Sequence, residues 1–265
     1  IYNGIDFTPP PTQGDRLEYL RSLGADVDEN SVVVGIAARM NPVKDMATLV
    51  RGFAAGYAKC PRLRLLIAGD GPEKDKLTAL AAELGVERQV CFAGWISGGM
   101  DRFYSALDIN ALTSLSETFP YALTEGARFH LATVSTAVGG IPYLIDQDVN
   151  GYLFQPGDWQ ALGNDLAALG NDDELRRRLG EKLYEKASTQ FSIQKTGATQ
   201  VMTPFWRPSS RRCAPSTRTC PLPCSARTPG APGSPTGCGR CTVPTSWPGT
   251  PPCGTAACTS TAAAA

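Results

Sequence analysis

Val32-Val33-Val34-Gly35-Ile36-Ala37-Ala38-Arg39-Met40-Asn41-Pro42-Val43-Lys44 joins a short apolar run to a loop carrying two cations. The run is β-branched and apolar at consecutive positions, so it reads as a strand buried on both faces. Behind it, Met46, Leu49, Val50, Phe53 and Tyr57 fall at helical spacing within residues 45–57. The unit then repeats. Leu63 to Ala68 is a second strand, Gly69-Asp70-Gly71-Pro72 a turn, and Glu73 to Leu84 a helix, with Pro72 suited to its first turn and Gly85 to its C-terminal cap. Further strands are expected at 90–93, 108–113, 133–135 and 152–154, and helices at 120–129, 159–169 and 172–188. Strands alternating with helices define an α/β fold, a Rossmann-like parallel sheet with flanking helices, whose ligands bind beyond the carboxyl ends of the strands.

Composition bounds the rest. The 265 residues are 42% hydrophobic, enough for a core, and carry no formal net charge, which argues against a nucleic-acid partner. No apolar run approaches the ~20 residues that span a bilayer. The neutrality hides a break near residue 200. Residues 201–265 hold seven of the nine Cys, 12 of the 21 Pro and six Arg, without a Lys, Asp or Glu, leaving 19 basic against 25 acidic residues before the break. Cys220, Cys224, Cys238 and Cys241 have a tolerable zinc spacing, but the segment shows no amphipathic period and too little apolar content to offset ordering entropy. The Pro/Cys/Ala-rich stretch 191–265 is expected to be a disordered tail or a frameshift product, and no chemistry is assigned to it.

Three strand ends carry candidate chemistry. Arg39 and Lys44 pair a forked guanidinium with a mobile ammonium, which together could hold a diphosphate without a metal. The glycines Gly69 and Gly71 do not form a phosphate-loop fingerprint, but would let a flat nucleobase approach the backbone. After the fourth strand, Ser114-Leu115-Ser116-Glu117-Thr118-Phe119-Pro120-Tyr121-Ala122-Leu123-Thr124-Glu125 separates two carboxylates by seven residues. Glu117 falls before the helix and Glu125 inside it. Each could accept hydrogen bonds from vicinal hydroxyls, and the helix start offers amides to sugar or phosphate oxygens.

In order, these pieces resemble the C-terminal, donor-binding half of a retaining glycosyltransferase of the GT-B type, family 4. The matching run is Asn3-Gly4-Ile5-Asp6, Arg39 with Lys44, Ile67 to Pro72, Gly94-Trp95, Glu117 with Glu125, Val138-Gly139-Gly140-Ile141-Pro142, and Asn150 to Phe154. It covers residues 1 to about 190. The resemblance implies an interdomain segment and leading helix over 1–30 and a nucleotide-sugar domain over 31–190. It implies catalytic roles for Arg39 and Lys44 at the donor diphosphate and for Glu117 at the donor sugar. Glu125 would take the ribose hydroxyls, and Gly69, Gly71, Trp95, Thr118, Phe119, Pro120 and Tyr121 would complete the donor site. The donor would be a UDP-, GDP- or ADP-sugar, with no metal or other cofactor.

Two departures stand out. Arg128-Phe129-His130-Leu131-Ala132-Thr133 replaces the small residues and Gly-Pro the family usually has after the second Glu, and Asp45 replaces a frequent Gly after the Lys. His130, the single histidine, follows a helix end and reads as structural. The acceptor, lipid-linked or saccharide, would be bound by an N-terminal domain expected to be missing here, leaving this half inactive alone. The enzyme is expected in the cytoplasm, where such donors are made, or peripherally at the inner face of the membrane. The alternatives are a nucleotide-sugar epimerase of the same fold and a non-catalytic nucleotide-sugar binding module.

Overall fold

The computed structural model describes residues 4–8, 14–97 and 99–195. Of the stretch read as tail, residues 191–195 are described and the rest, with the readings made for it, lies outside the described residues, as does Asn3.

Six strands form one parallel sheet in the order β3-β2-β1-β4-β5-β6. They are β1 (Val32–Ala37), β2 (Leu63–Ala68), β3 (Val90–Gly94), β4 (Ile109–Leu112), β5 (Ala132–Thr136) and β6 (Tyr152–Phe154). The helices are α1 (Arg16–Ser22), α2 (Met46–Tyr57), α3 (Lys74–Glu83), α4 (Met100–Ser105), α5 (Tyr121–Arg128), α6 (Ile141–Leu144), α7 (Trp159–Asn171) and α8 (Asp173–Gln190). The expected α/β fold is the one observed. β1 and β2 pair in full register from Val32 with Leu63 to Ala37 with Ala68. On its other edge β1 pairs with β4. The chain therefore travels outward to β3, crosses back past β1, and continues to β6. The reversal leaves a crevice between β1 and β4, where doubly wound sheets place their ligands.

Alternate residues of the central strands feed two cores, as a period of two requires. Val34, Ile36, Leu65 and Ile67 pack in one cluster with Phe53 of α2 and Leu166 of α7. Val33, Leu66 and Ala68 pack in the other with Leu20 of α1 and Phe103 and Tyr104 of α4. Both faces of the sheet are thus covered, and the near-continuous apolar runs of β1 and β2 follow from that. α2 and α7 meet through small residues: a Cβ on Gly163 would stand 2.8 Å from the Ala55 Cβ and 2.9 Å from the Gly52 carbonyl oxygen.

Short-range chemistry sets the helix ends. Asp158 accepts from the Ala161 amide at 2.9 Å and Asp172 from Leu175 at 2.9 Å, so both cap their helices. Gly85 ends α3 at φ +69°. The first described segment closes onto the last: Ile5 donates to the Phe191 carbonyl at 3.0 Å and Ile193 donates back to Ile5 at 2.9 Å. Phe191, at the start of the stretch whose composition reads as tail, is buried at the end of α8.

Candidate functional site

A cleft of about 1100 Å³ opens at the carboxyl ends of β1, β2 and β4. Its floor is made by two loops that travel together. Ala38 donates to the Ala68 carbonyl at 3.0 Å, and Met40 to the Asp70 carbonyl at 2.9 Å. Gly69 stands at φ +131°, and a Cβ there would lie 2.1 Å from the Ala38 carbonyl oxygen; a Cβ on Gly71 would lie 2.3 Å from that of Met40. Both glycines are demanded by the chain's own backbone. The same contact leaves the cleft floor without side chains at these points.

The β1 loop turns through Pro42–Lys44 into α2. Asp45 sits at φ +41°, takes the Thr48 hydroxyl at 2.7 Å and caps α2, which is what this residue does in a position that suits glycine. The loop after β4 is tied to it. The Thr113 hydroxyl donates to the Lys44 carbonyl at 2.8 Å, and the Leu115 amide to the Val43 carbonyl at 2.8 Å. Lys44 Nζ and the Ser114 hydroxyl both donate to Glu117 Oε1, at 2.5 and 2.7 Å. Glu117 therefore holds the ammonium in place and spends one carboxylate oxygen doing so. Beneath it, Gly139 (φ +53°) packs so tightly that a Cβ would overlap the Glu117 carbonyl oxygen at 1.7 Å. The turn Val138 to Ile141 is a seat for the Glu117 loop.

Glu125 is placed by α5, and α5 is placed by β4. Asn110, wholly buried in β4, donates through Nδ2 to the Ala122 carbonyl at 2.8 Å. Gly126 permits that approach, since its Cβ would fall 2.2 Å from the Asn110 Nδ2. No side chain caps the N-terminus of α5, where Phe119, Pro120 and Tyr121 line the cleft. One turn further, Glu125 Oε2 accepts the hydroxyl of Tyr104 at 3.0 Å. Burial pushes the Glu125 carboxyl above its ordinary range; the Tyr104 hydrogen bond and Arg128 oppose that shift, and Asp101 adds to it.

Arg39, Lys44, Gly69, Gly71, Trp95, Glu117 and Glu125 all line this one cleft. Thr118 does not line it; its carbonyl oxygen meets Gly140, where a Cβ would be 2.6 Å away. Arg39 is exposed and forms no ion pair among the described residues. Trp95 is 79% exposed. The larger side chains of the lining that the sequence reading missed include Ile96, Met100 and Tyr104, from α4 and the loop before it. Their signal was faint: Met100, Phe103 and Tyr104 stand at helical spacing, but a helix of six residues spans less than two turns. His130 lies elsewhere, at φ +56° past the end of α5, with its ring stacked on Tyr184 at 4.1 Å. Among the described residues, no group of three or more His, Cys, Asp or Glu is set to hold a metal, and no helix is long and apolar enough to cross a membrane.

A crevice at the switch point of a 3-2-1-4-5-6 sheet, floored by glycine backbone and flanked by two cations and two carboxylates, marks a ligand-binding domain of Rossmann-like fold. Residues 22–186 match the family described as Glycosyl transferases group 1, and the chain belongs to that family. Among curated relatives, it is 29% identical over 169 residues to N-acetyl-alpha-D-glucosaminyl L-malate synthase of Bacillus anthracis, covering 64% of this chain and 44% of that protein. It is 34% identical over 183 residues to D-inositol 3-phosphate glycosyltransferase of Mycobacterium sp. (strain KMS), covering 64% and 39%. The chain thus spans less than half the length of these relatives. Among solved structures, Anabaena Alr3699/HepE in complex with UDP superposes with a TM-score of 0.67 at 26% identity, over 76% of this chain and 56% of that one. The C-terminal domain of a group 1 family protein (LpcC) from Francisella tularensis has the same fold, with a TM-score of 0.65 at 24% identity, and is covered completely by 72% of this chain. The domain is a glycosyltransferase domain of the GT-B kind.

Proposed function

We propose that the cleft binds a nucleoside-diphosphate sugar, and that the chain is the donor-binding part of a glycosyltransferase that retains the configuration of the transferred sugar. The observation that carries this reading is the convergence of Arg39, Lys44, Glu117 and Glu125 on one cleft at the β1/β4 switch point. The two cations neutralise the diphosphate and the charge that develops on it as the sugar departs, the step at which fixed charge contributes most. The start of α5, which no side chain caps, adds the partial positive charge of the helix dipole to the same end. Glu125 accepts the ribose hydroxyls, and Glu117, with one oxygen engaged by Lys44, offers the other to the sugar. Phe119, Pro120 and Tyr121 shape the sugar end, while the backbone at Gly69 and Gly71 and the ring of Trp95 bound the base.

HepE holds UDP, and in companion structures of the same protein UDP with glucose or UDP-glucose, which favours uracil over guanine or adenine here. No metal enters the proposed reaction, because Arg39 and Lys44 supply the charge. The relatives are more than twice as long as the matched region, and their remaining half is the natural source of an acceptor site; the chain alone is therefore expected to bind donor without transferring it. The acceptor, lipid-linked or saccharide, belongs to the assembly of cell-envelope polysaccharide, as the name of the lipopolysaccharide core glycosyltransferase LpsE, 30% identical over 167 residues, suggests by analogy. The proposed site of action is the cytoplasm or the inner membrane face, where such donors are made.

Ligand-observed NMR of the chain with UDP-, GDP- and ADP-sugars, with free nucleotide release followed in the same tube, tests the proposal. Selective binding of one donor without release is expected. Failure to bind any of the three would overturn the donor reading, and rapid release would overturn the inactivity of the chain alone.

A further inference from the structure

α4 and α5 are cross-linked at two levels. Tyr104 of α4 donates to Glu125 of α5 at 3.0 Å, and three residues along each helix Arg128 Nη1 donates to Asp101 Oδ1 at 2.9 Å. Tyr104 is only 1% exposed, yet it borders the cleft. Its ring is fixed by an edge contact with Phe103 at 5.3 Å and a stacked contact with Phe129 at 6.0 Å. Glu125 is also part-buried, and among the described residues the tyrosine hydroxyl is the one hydrogen-bond donor to its carboxylate.

A carboxylate on a helix has three side-chain torsions to fix before it can present both lone pairs of one oxygen to a ligand. The neutral phenol does that here. It engages Oε2 and leaves Oε1, on a residue that lines the cleft, with no protein donor among the described residues, and it adds no charge that would compete for the carboxylate. Burial raises the Tyr104 hydroxyl far above the range in which it would ionise, so it remains a donor at every working pH.

We propose that Tyr104 is a positioning residue for donor recognition: its hydroxyl locks one oxygen of Glu125 so that the other accepts a vicinal diol of the nucleotide ribose. This rests on the assignment of Glu125 to the ribose under the proposed function. Tyr104→Phe removes one oxygen atom and keeps the ring, so the buried packing is preserved. Removing the hydroxyl frees Glu125 to rotate and also removes an interaction that favours its ionised form. Both effects weaken the contact with the ribose, and neither touches the diphosphate.

Calorimetric titration of the chain with UDP and with 2′,3′-dideoxy-UDP separates the possibilities. In Tyr104→Phe, the affinity for UDP is expected to fall about fivefold to tenfold, while the affinity for the dideoxy analogue stays within a factor of two. The Glu125 carboxyl, followed by carbon NMR, is expected to titrate at a higher pH than in the parent, because a donor to the charged form has gone. Replacement of Tyr104 by 3-fluorotyrosine, a stronger donor of the same shape, is expected to move UDP affinity the other way. Equal losses on both ligands, or no loss on UDP, would overturn the positioning role. Glu125→Ala provides the separate control: if it still discriminates UDP from the dideoxy analogue as the parent does, the ribose assignment itself fails, whatever Tyr104 does.

Discussion

Lys44 and Glu117 form a charge pair in the cleft, and under the proposed function an incoming diphosphate would meet that pair. Both side chains are mostly shielded from water, at 24% and 14% exposed, so their attraction is less screened than that of a surface pair. Glu117 thus neutralises the ammonium in the absence of ligand and keeps it from searching other partners. Under the proposed function, a diphosphate arriving at Lys44 would compete with that carboxylate. Glu117→Gln removes the competing charge but keeps a side chain that can accept from Ser114. UDP is expected to bind this variant about twofold to threefold tighter at low salt, with the gain fading as ionic strength rises. The additional affinity of UDP-glucose over UDP should shrink in the same variant, since the sugar loses its charged acceptor. Titration calorimetry at two salt concentrations checks both statements, and an unchanged UDP affinity at low salt would contradict the competition.

α5 is the element on which the candidate site depends. It is only eight residues long, and its position comes from Asn110 and Gly126. A methyl group at 126 has nowhere to go, because the Asn110 side chain that it meets is buried and already bonded to Ala122. Gly126→Ala is therefore expected to cost about 1–3 kcal/mol by overpacking, more than the roughly 1 kcal/mol that alanine gains in a helix interior. Thermal unfolding should show a lowered midpoint, and UDP affinity should fall because Glu125 moves with the helix. A variant as stable as the parent, with unchanged affinity, would show that α5 is not held this way.

At this same scale the sequence was unevenly legible. β1 and β2 could be bounded to the residue because both their faces are buried and the apolar runs end where the loops begin. α5 was readable at 120–129, with Glu117 before the helix and Glu125 inside it. α4 was not, since six residues span less than two turns, and with it went Tyr104 and Met100. Gly69 and Gly71 were found but for a different reason: what needs them is a neighbouring loop brought close only by the sheet, which no local pattern reports. Gly139 belongs to the same class, its partner being a carbonyl 22 residues earlier in the chain.

For the whole molecule, the sheet order does most to explain where the cleft lies. Reversal at β1 brings the loop after β1 beside the loop after β4; the first carries Arg39 and Lys44, the second carries Glu117, and α5 behind it carries Glu125. Net charge would not help to attract a diphosphate, since residues 1–200 carry more acid than base; the proposed function therefore relies on Arg39 and Lys44 acting at short range. The account thus assigns the phosphate end of the ligand to Arg39 and Lys44 and the ribose end to Glu125. Titration of uridine and UDP into the parent chain, Arg39→Ala and Glu125→Ala tests that assignment most directly. The account predicts that both variants lose about tenfold or more in UDP affinity, and that for uridine, which has no phosphate, Glu125→Ala weakens binding while Arg39→Ala leaves it unchanged. Parent-like UDP binding in both folded variants, or equal effects of the two on uridine, would contradict it.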